Sequence, residues 1–436
     1  MLNDFIRIFS GNLHQYGKQG LRVPKVPQSA NFVQIRRVVA GLCHFCRMIL
    51  PVQPAKVVLN RGRESSVQRR HPWIFSGAIA RIEGQTADGD WVQVVNQAGE
   101  TLAWGHYQKG SISIRILEFG PSTDEEIYIR RLRNALALRE STGVLPPETD
   151  CFRLVHGEGD GLPGLVIDVY ASVAVIQAHS AGMTRDASAI ASALQEVLGR
   201  RIDGIYFRNT SSESGQWLLG ERSDAVRVRE CGNLFEVDVA RGQKTGFFLD
   251  QRENRQILGR YAAGRKVLNT FCYSGGFSIY ALQQGATLVH SVDASASAIE
   301  LCRRNLSING FDPEHHACYA ADTFQFLEKS ETEYDVIILD PPAFAKHKDA
   351  RHQAMKGYQR LNTEAMKHIR SGGILFTFSC SQVVDRQLFY DTVMSAAIAS
   401  GRNARVLAHL SQPADHPVSA FHPEGAYLKG LILHID

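Results

Sequence analysis

No stretch of the 436 residues approaches eighteen uninterrupted apolar positions, which excludes a membrane-crossing helix and predicts a chain with no membrane contact. Cysteine is sparse. The eight at 43, 46, 151, 231, 272, 302, 318 and 380 are too scattered for a disulfide framework. With no signal peptide in view, free thiols in a reducing cytoplasm are expected. Acidic residues are nearly missing from the first 47 positions, where seven Lys and Arg face Asp4 alone. That segment carries +6 while the whole chain carries +4, so residues 48–436 stand at −2. Any nucleic-acid surface in the body must therefore come from local clustering, because the total supplies none. What is present is ordinary: 44% hydrophobic and 21% charged residues, in a length that suits about three domains.

Residues 1–47 show no sustained helical or strand period and read as a disordered extension, with Met48 opening the folded protein. A transit-type leader is the alternative. Cys43-His44-Phe45-Cys46 resembles half of a zinc site, but no second pair follows at suitable spacing, and no metal is expected. From about Ala55 to Phe119, short β-type runs such as "KVVLN", "DWVQVVN" and "ISIRILEF" alternate with glycine-bearing turns, which predicts a small barrel. At its entrance "RGRESSVQRRHPW" sets Arg61, Arg63, Arg69 and Arg70 near Trp73. That mixture suits phosphate tracking and base stacking, and equally suits a solvated basic edge. Thr123 and Glu126 have capping-box spacing and predict a helix. Its apolar stripe is Ile129, Leu132, Ala135 and Leu136, with Arg130, Arg131, Arg133 and Arg139 elsewhere on the circumference. In "RLVHGEGDGLPGLVIDVY", Glu158 and Asp160 read as turn residues in preference to a catalytic pair. A small α+β unit ends near Asp224.

After Glu236 strands alternate with helices, the pattern of a doubly wound parallel sheet whose ligands sit beyond the carboxyl ends of its strands. "VLNTFCYSGG" places glycines after the first strand, where a backbone without side chains can approach a nucleoside. Asp293, about twenty residues on, can accept both ribose hydroxyls. The loop lacks GxGxxG and GK[ST] spacing, so a nucleoside cofactor without phosphates fits, and S-adenosylmethionine is the expected one. Asp340-Pro341-Pro342 ends a later strand. Its stiff turn would hold Asp340 and Phe344 where a planar base can be read. "TFSCS" ends the next strand and presents Cys380. A thiolate adding to carbon 6 of a pyrimidine turns carbon 5 into an enamine carbon that can take a methyl group. Asp340 could then serve the ring at N3. Cys272, in the glycine loop, is the rival thiol.

From about Val57 to its end the chain resembles the bacterial methyltransferases that make 5-methylcytosine in 23S ribosomal RNA, closest to those with an N-terminal PUA domain. The stretches that carry the resemblance are "RGRESSVQRRHPWIFSGAI", "GEGDGLPGLVID", "KTGFFLDQRENR", "VLNTFCYSGGFS", "LDPPAF", "TFSCS" and "FHPEGAYLKG". It implies an α/β fold: a Rossmann-like class I methyltransferase domain over 226–436, preceded by a PUA barrel over 54–122 and a central α+β domain over 123–225, with 1–53 as an extension. It implies Cys380 as nucleophile and Asp340 as the base-facing acid. Pro341, Pro342 and Phe344 would contact the target, and Arg69 and Arg70 more distant RNA. The cofactor would be held by Gln251, Arg252, Asn269, Phe271, Tyr273, Gly275, Asp293, Asp322 and Thr323. The implied partner is large-subunit ribosomal RNA, and a homodimer is left open. Relatives often carry a second cysteine directly after the prolines. Here Ala343 stands there, so release of the carbon 5 proton needs another base. Two other functions remain: a guanine-nitrogen RNA methyltransferase, for which Cys380 would be superfluous, and a non-catalytic RNA-binding or ribosome-assembly protein.

Overall fold

The computed structural model describes residues 54–436, apart from 125, 146–147, 210–214, 222–224 and 346. The extension and its Cys43–Cys46 motif lie outside the described residues. Six strands come first: β1 (Ala55–Leu59), β2 (Trp73–Phe75), β3 (Ile79–Glu83), β4 (Trp91–Val95), β5 (Thr101–Tyr107) and β6 (Ile112–Phe119). They form a mixed sheet in the order β2-β6-β5-β4-β1-β3, with a core of its own that includes Val57, Leu59, Ile74, Val92, Val94, Ile114 and Ile116.

Helix α1 (Ile127–Ser141) follows, and it corrects two expectations. The capping box does not form: the helix opens at Ile127, and the Thr123 hydroxyl is buried without a partner among the described residues. Arg139 lies on the buried face beside Leu132 and Ala135, where its guanidinium takes both oxygens of Asp160. Glu158 accepts from Trp73 Nε1 at 2.9 Å. Both acids of the glycine-rich turn are therefore structural, and they tie elements together beyond shaping a turn. Strands β7 (Cys151–His156), β8 (Leu165–Tyr170), β9 (Val173–Ala178), β10 (Gly204–Asn209) and β11 (Gly215–Leu219) form the central sheet, followed by the hairpin β12 (Val226–Glu230) and β13 (Asn233–Val237).

The last sheet holds the strand-end residues. Its strands are β14 (Lys266–Thr270), β15 (Leu288–Asp293), β16 (His316–Ala320), β17 (Tyr334–Leu339), β18 (Ile369–Ser379), β19 (Ala404–Leu410) and β20 (Lys429–Ile435). The order is β16-β15-β14-β17-β18-β20-β19, with β20 antiparallel to both neighbours. Strand order reverses between β14 and β17, and a ligand crevice opens at such a switch point. Helices α2 (Arg252–Gly259), α3 (Gly276–Gln283), α4 (Ala296–Ile308), α5 (Thr323–Lys329), α6 (Arg351–His368) and α7 (Arg386–Ser400) accompany these strands. Ile337, Leu339 and Leu375 pack with Tyr358, Leu361 and Met366 of α6, whereas Val336, Ile338 and Phe376 belong to the opposite core. The strands alternate because both of their faces are covered. No helix among the described residues is long and apolar enough to cross a membrane.

Candidate active site

The loop after β14 is held in unusual backbone conformations. Phe271, Tyr273 and Gly275 have φ of +53°, +46° and +78°. Left-handed conformations at two non-glycine residues cost on the order of 1–3 kcal/mol each and persist only where surroundings fix them. Here Cys272 N donates to Val292 O (3.0 Å), Tyr273 N to Asp293 Oδ2 (3.0 Å) and Gly275 N to Cys272 O (2.8 Å). Asp293, at the tip of β15, also accepts from Ser295 N at 2.9 Å through Oδ1. An ionised carboxylate has about four acceptor sites, so two remain for a vicinal diol. These residues fit a nucleoside.

The glycines act differently from expectation. A Cβ on Gly275 would lie 2.5 Å from Cys302 Sγ, and one on Gly276 would lie 3.0 Å from Arg255 Cδ. The space is taken by the protein's own helices, so these glycines serve loop packing. Asn269 is buried, donates to Ser278 Oγ at 2.8 Å, and has Oδ1 without a partner among the described residues. Asp322 caps α5 by accepting from Gln325 N at 3.1 Å, and Thr323 beside it is buried. Cys272 is buried in the same core as Cys302.

Across the switch point, Asp340 follows β17 and Cys380 follows β18. Both serines flanking the thiol are committed to its placement. Ser379 Oγ donates to Tyr358 Oη at 3.0 Å. Ser381 Oγ donates to Ala345 O at 2.7 Å, which laces the Cys380 loop to the Asp340-Pro341-Pro342 loop. Pro341 is buried and Pro342 exposed. Phe344, expected to stack on a base, packs one face against Tyr358 with ring centroids 4.6 Å apart. Gln251 and Arg252, expected beside the cofactor, are placed otherwise. Gln251 is buried and accepts from Asn254 Nδ2 at 2.6 Å. Arg252 is buried, donating to Asp415 Oδ2 and Cys151 O, each at 2.9 Å. Arg69 and Arg70 are exposed. Trp73, by contrast, is occupied by Glu158 and by His422, whose ring is 4.4 Å away, so it is not a free stacking platform.

Four site residues escaped the sequence analysis. Lys429 opens β20, in register with Ser379, and its Nζ donates to Ser381 O at 2.6 Å. Asp250, from the turn before α2, accepts from Tyr427 Oη at 2.6 Å and Lys244 Nζ at 3.1 Å, while its Oδ1 is buried without a partner among the described residues. "FFLDQR" and "AYLKG" were the available signals, but nothing within either stretch shows that they meet. Burial, reinforced by the charge of Asp250, pushes the Asp340 carboxyl up to about 7. Burial and Asp340 push the Cys380 thiol up, against the pull of Lys244 and Lys429. Burial lowers the Lys429 ammonium to about 8. Asp250 is held low by Lys244 and His416, although burial alone would raise it.

A left-handed loop, a carboxylate with acceptor positions to spare, and a cysteine and an aspartate on adjacent strand ends are what a Rossmann-like methyltransferase site calls for. Comparison with known proteins agrees. Residues 171–430 match the model of the S-adenosylmethionine-dependent methyltransferase family, and residues 57–119 match that of a PUA-like domain. The chain is 40% identical over 397 residues to ribosomal RNA large subunit methyltransferase I of Aeromonas hydrophila, covering 87% of this chain and 99% of the relative. The proteins of the same description from Alteromonas mediterranea and Escherichia coli are each 38% identical, with the same two coverages. Two solved structures share the fold over 87% of this chain and 99% of theirs. One, from Streptococcus mutans, is described as a SAM-dependent methyltransferase (21% identity, TM-score 0.75); the other is a methyltransferase complexed with SAH (22%, 0.77). The chain belongs to the S-adenosylmethionine-dependent methyltransferases, within them to the ribosomal RNA large subunit methyltransferase I family, and its cofactor is S-adenosylmethionine.

Proposed function

We propose that this protein methylates carbon 5 of a cytosine in large-subunit ribosomal RNA through a covalent Cys380 adduct. The observation that carries the proposal is the lacing of the Cys380 loop to the Asp340 loop by Ser381 and Ala345, which ties a thiol and a raised-pKa carboxyl to adjacent strand ends. Relatives named for large-subunit ribosomal RNA supply the substrate class. Bound S-adenosylmethionine supplies an electrophilic methyl group on a sulfonium.

The residues of the chain supply the rest. Cys380 Sγ, as thiolate, forms a bond to carbon 6. Asp340, whose carboxyl stays partly protonated near neutral pH because it is buried beside Asp250, hydrogen-bonds or protonates N3, where the displaced electron pair collects, and takes that proton back when the thiolate leaves. Lys429, still largely protonated at pH 7, favours the thiolate. After carbon 5 takes the methyl group, its proton departs to a base, the carbon 6–sulfur bond breaks and the thiolate returns. Residue 343 is alanine and takes no part in that elimination. Asp293 and the loop through Tyr273 position the nucleoside, and Arg69 and Arg70 meet phosphates outside the target pocket. The protein works in the cytoplasm, where its substrate is assembled.

The test uses RNA containing 5-fluorocytosine, whose fluorine blocks the last elimination. The wild-type protein is expected to form a denaturation-resistant adduct, and Cys380→Ala to form none while still binding S-adenosylmethionine in calorimetry. Methyl transfer by Cys380→Ala at the normal rate would sink the covalent mechanism, and methylguanine as the product would sink the choice of base.

A further inference from the structure

Away from the strand ends, three potential metal ligands meet where the amino-terminal sheet touches the C-terminal turn. His71 precedes β2, and His422 and Glu424 belong to the turn around Pro423–Gly425. One ligand atom from each lies within 4.8 Å of the other two. His422 Nε2 is 3.8 Å from Glu424 Oε2, and the two imidazole centroids are 5.6 Å apart. His422 is only 3% exposed, and neither of its ring nitrogens has a hydrogen-bond partner among the described residues. An imidazole carries one donor and one acceptor, or two donors when charged, and buried polar groups are rarely left unpaired. An aromatic at position 422 would pack against Trp73 equally well, so packing does not explain the nitrogens.

His71 is prepared for ligation by its backbone contacts. Its Nδ1 lies 3.2 Å from Trp73 O and 3.1 Å from Trp73 N. When Nδ1–H donates to the carbonyl, Nε2 presents its lone pair, and this is how metal-bound histidines are oriented. The opposite tautomer places the proton on Nε2, and a cation would select against it.

We propose that His71, His422 and Glu424 form a binding site for a divalent transition cation of the zinc type, which pins the C-terminal turn to the PUA-like sheet. Two imidazoles and one carboxylate match the donor preferences of zinc and cobalt better than those of magnesium or calcium, which favour oxygen. Tetrahedral ligands about 2.0–2.2 Å from zinc are about 3.3–3.6 Å apart. The three ligand atoms are at most 4.8 Å apart, so small side-chain rotations, with Glu424 61% exposed, bring them to that spacing. Water completes the coordination.

The test uses the full chain with Cys43→Ser and Cys46→Ser, so that the N-terminal thiols cannot compete. After chelator treatment it is titrated with cobalt chloride, then zinc chloride. One equivalent of cobalt should bind with visible bands of a nitrogen–oxygen site and no thiolate charge-transfer band, and zinc should displace it. Glu424→Gln alters an exposed side chain and leaves the fold intact. It should weaken cobalt binding about tenfold or more, and His422→Phe should abolish it. No saturable binding, a thiolate band, or unchanged affinity in both variants would each overturn the proposal.

Discussion

Cys380 and Asp340 make opposite demands on pH. Under the proposed mechanism the thiol must lose its proton and the carboxyl must keep one, yet burial raises both. Because the carboxyl titrates below the thiol, methyl transfer should follow a bell-shaped profile whose ascending limb reports Asp340 and whose descending limb reports the thiol. The same carboxyl has a stability signature. Its folded pKa of about 7 lies above the ordinary 3.8, so the folded state binds the proton more tightly than the unfolded chain. Its penalty is full above pH 7 and fades as pH falls through 7 toward 4. Asp340→Asn should abolish methyl transfer yet raise the melting temperature at pH 8, the gain shrinking on acidification. A gain independent of pH, or none at pH 8, would show that Asp340 is not held protonated by its surroundings.

At the scale of elements, the loop between β14 and α3 is shaped by its packing on α4. Gly275→Ala adds a Cβ 2.5 Å from Cys302 Sγ at a residue with φ +78°. The expected loss is about 1–3 kcal/mol, read from urea midpoints. Adding Cys302→Ala clears the sulfur. If packing is the cause, the double variant recovers part of the loss, whereas equal losses assign the whole effect to backbone strain. The loops after β17 and β18 follow the same logic. "TFSCS" reads as a presented cysteine, but the flanking serines acquire their purpose only from Tyr358 and Ala345, distant in sequence.

Over the whole molecule, a buried ionic network joins the central sheet to the methyltransferase sheet. Glu230 of β12 accepts from Arg255 Nε and Nη2 at 2.9 and 2.8 Å and from Tyr280 Oη at 3.0 Å. Arg252 links Asp415 to the Cys151 carbonyl, and Arg153 takes both oxygens of Asp168 at 2.7 and 2.9 Å. Glu230→Ala leaves Arg255 buried without its partner and should cost about 3–5 kcal/mol in urea unfolding. Breaking the exposed Arg133–Glu196 pair should cost no more than about 1 kcal/mol. Comparable losses for the two would remove the network from its role in joining the sheets. Asp415 is held low by Arg252 and His416 against the effect of burial, so its contribution is present at neutral pH and lost as pH falls below the ordinary carboxylate range.

The sequence by itself determined the alternation of strands and helices, and with it the strand-end positions of Asp293, Asp340 and Cys380. An apolar run that stops at a polar residue marks where a buried strand reaches solvent, and that is a local property. Tertiary structure decided which groups join them there. Lys429 reaches the Ser381 carbonyl, next to Cys380, because β20 runs antiparallel beside β18, and Asp250 meets Tyr427 across 177 positions. Arg139 shows the same limit from the opposite side: one charge in a helix reads as surface until Asp160 arrives to pair with it in the interior. Charge in a protein interior is tolerated only with a partner, and only the folded chain brings that partner near.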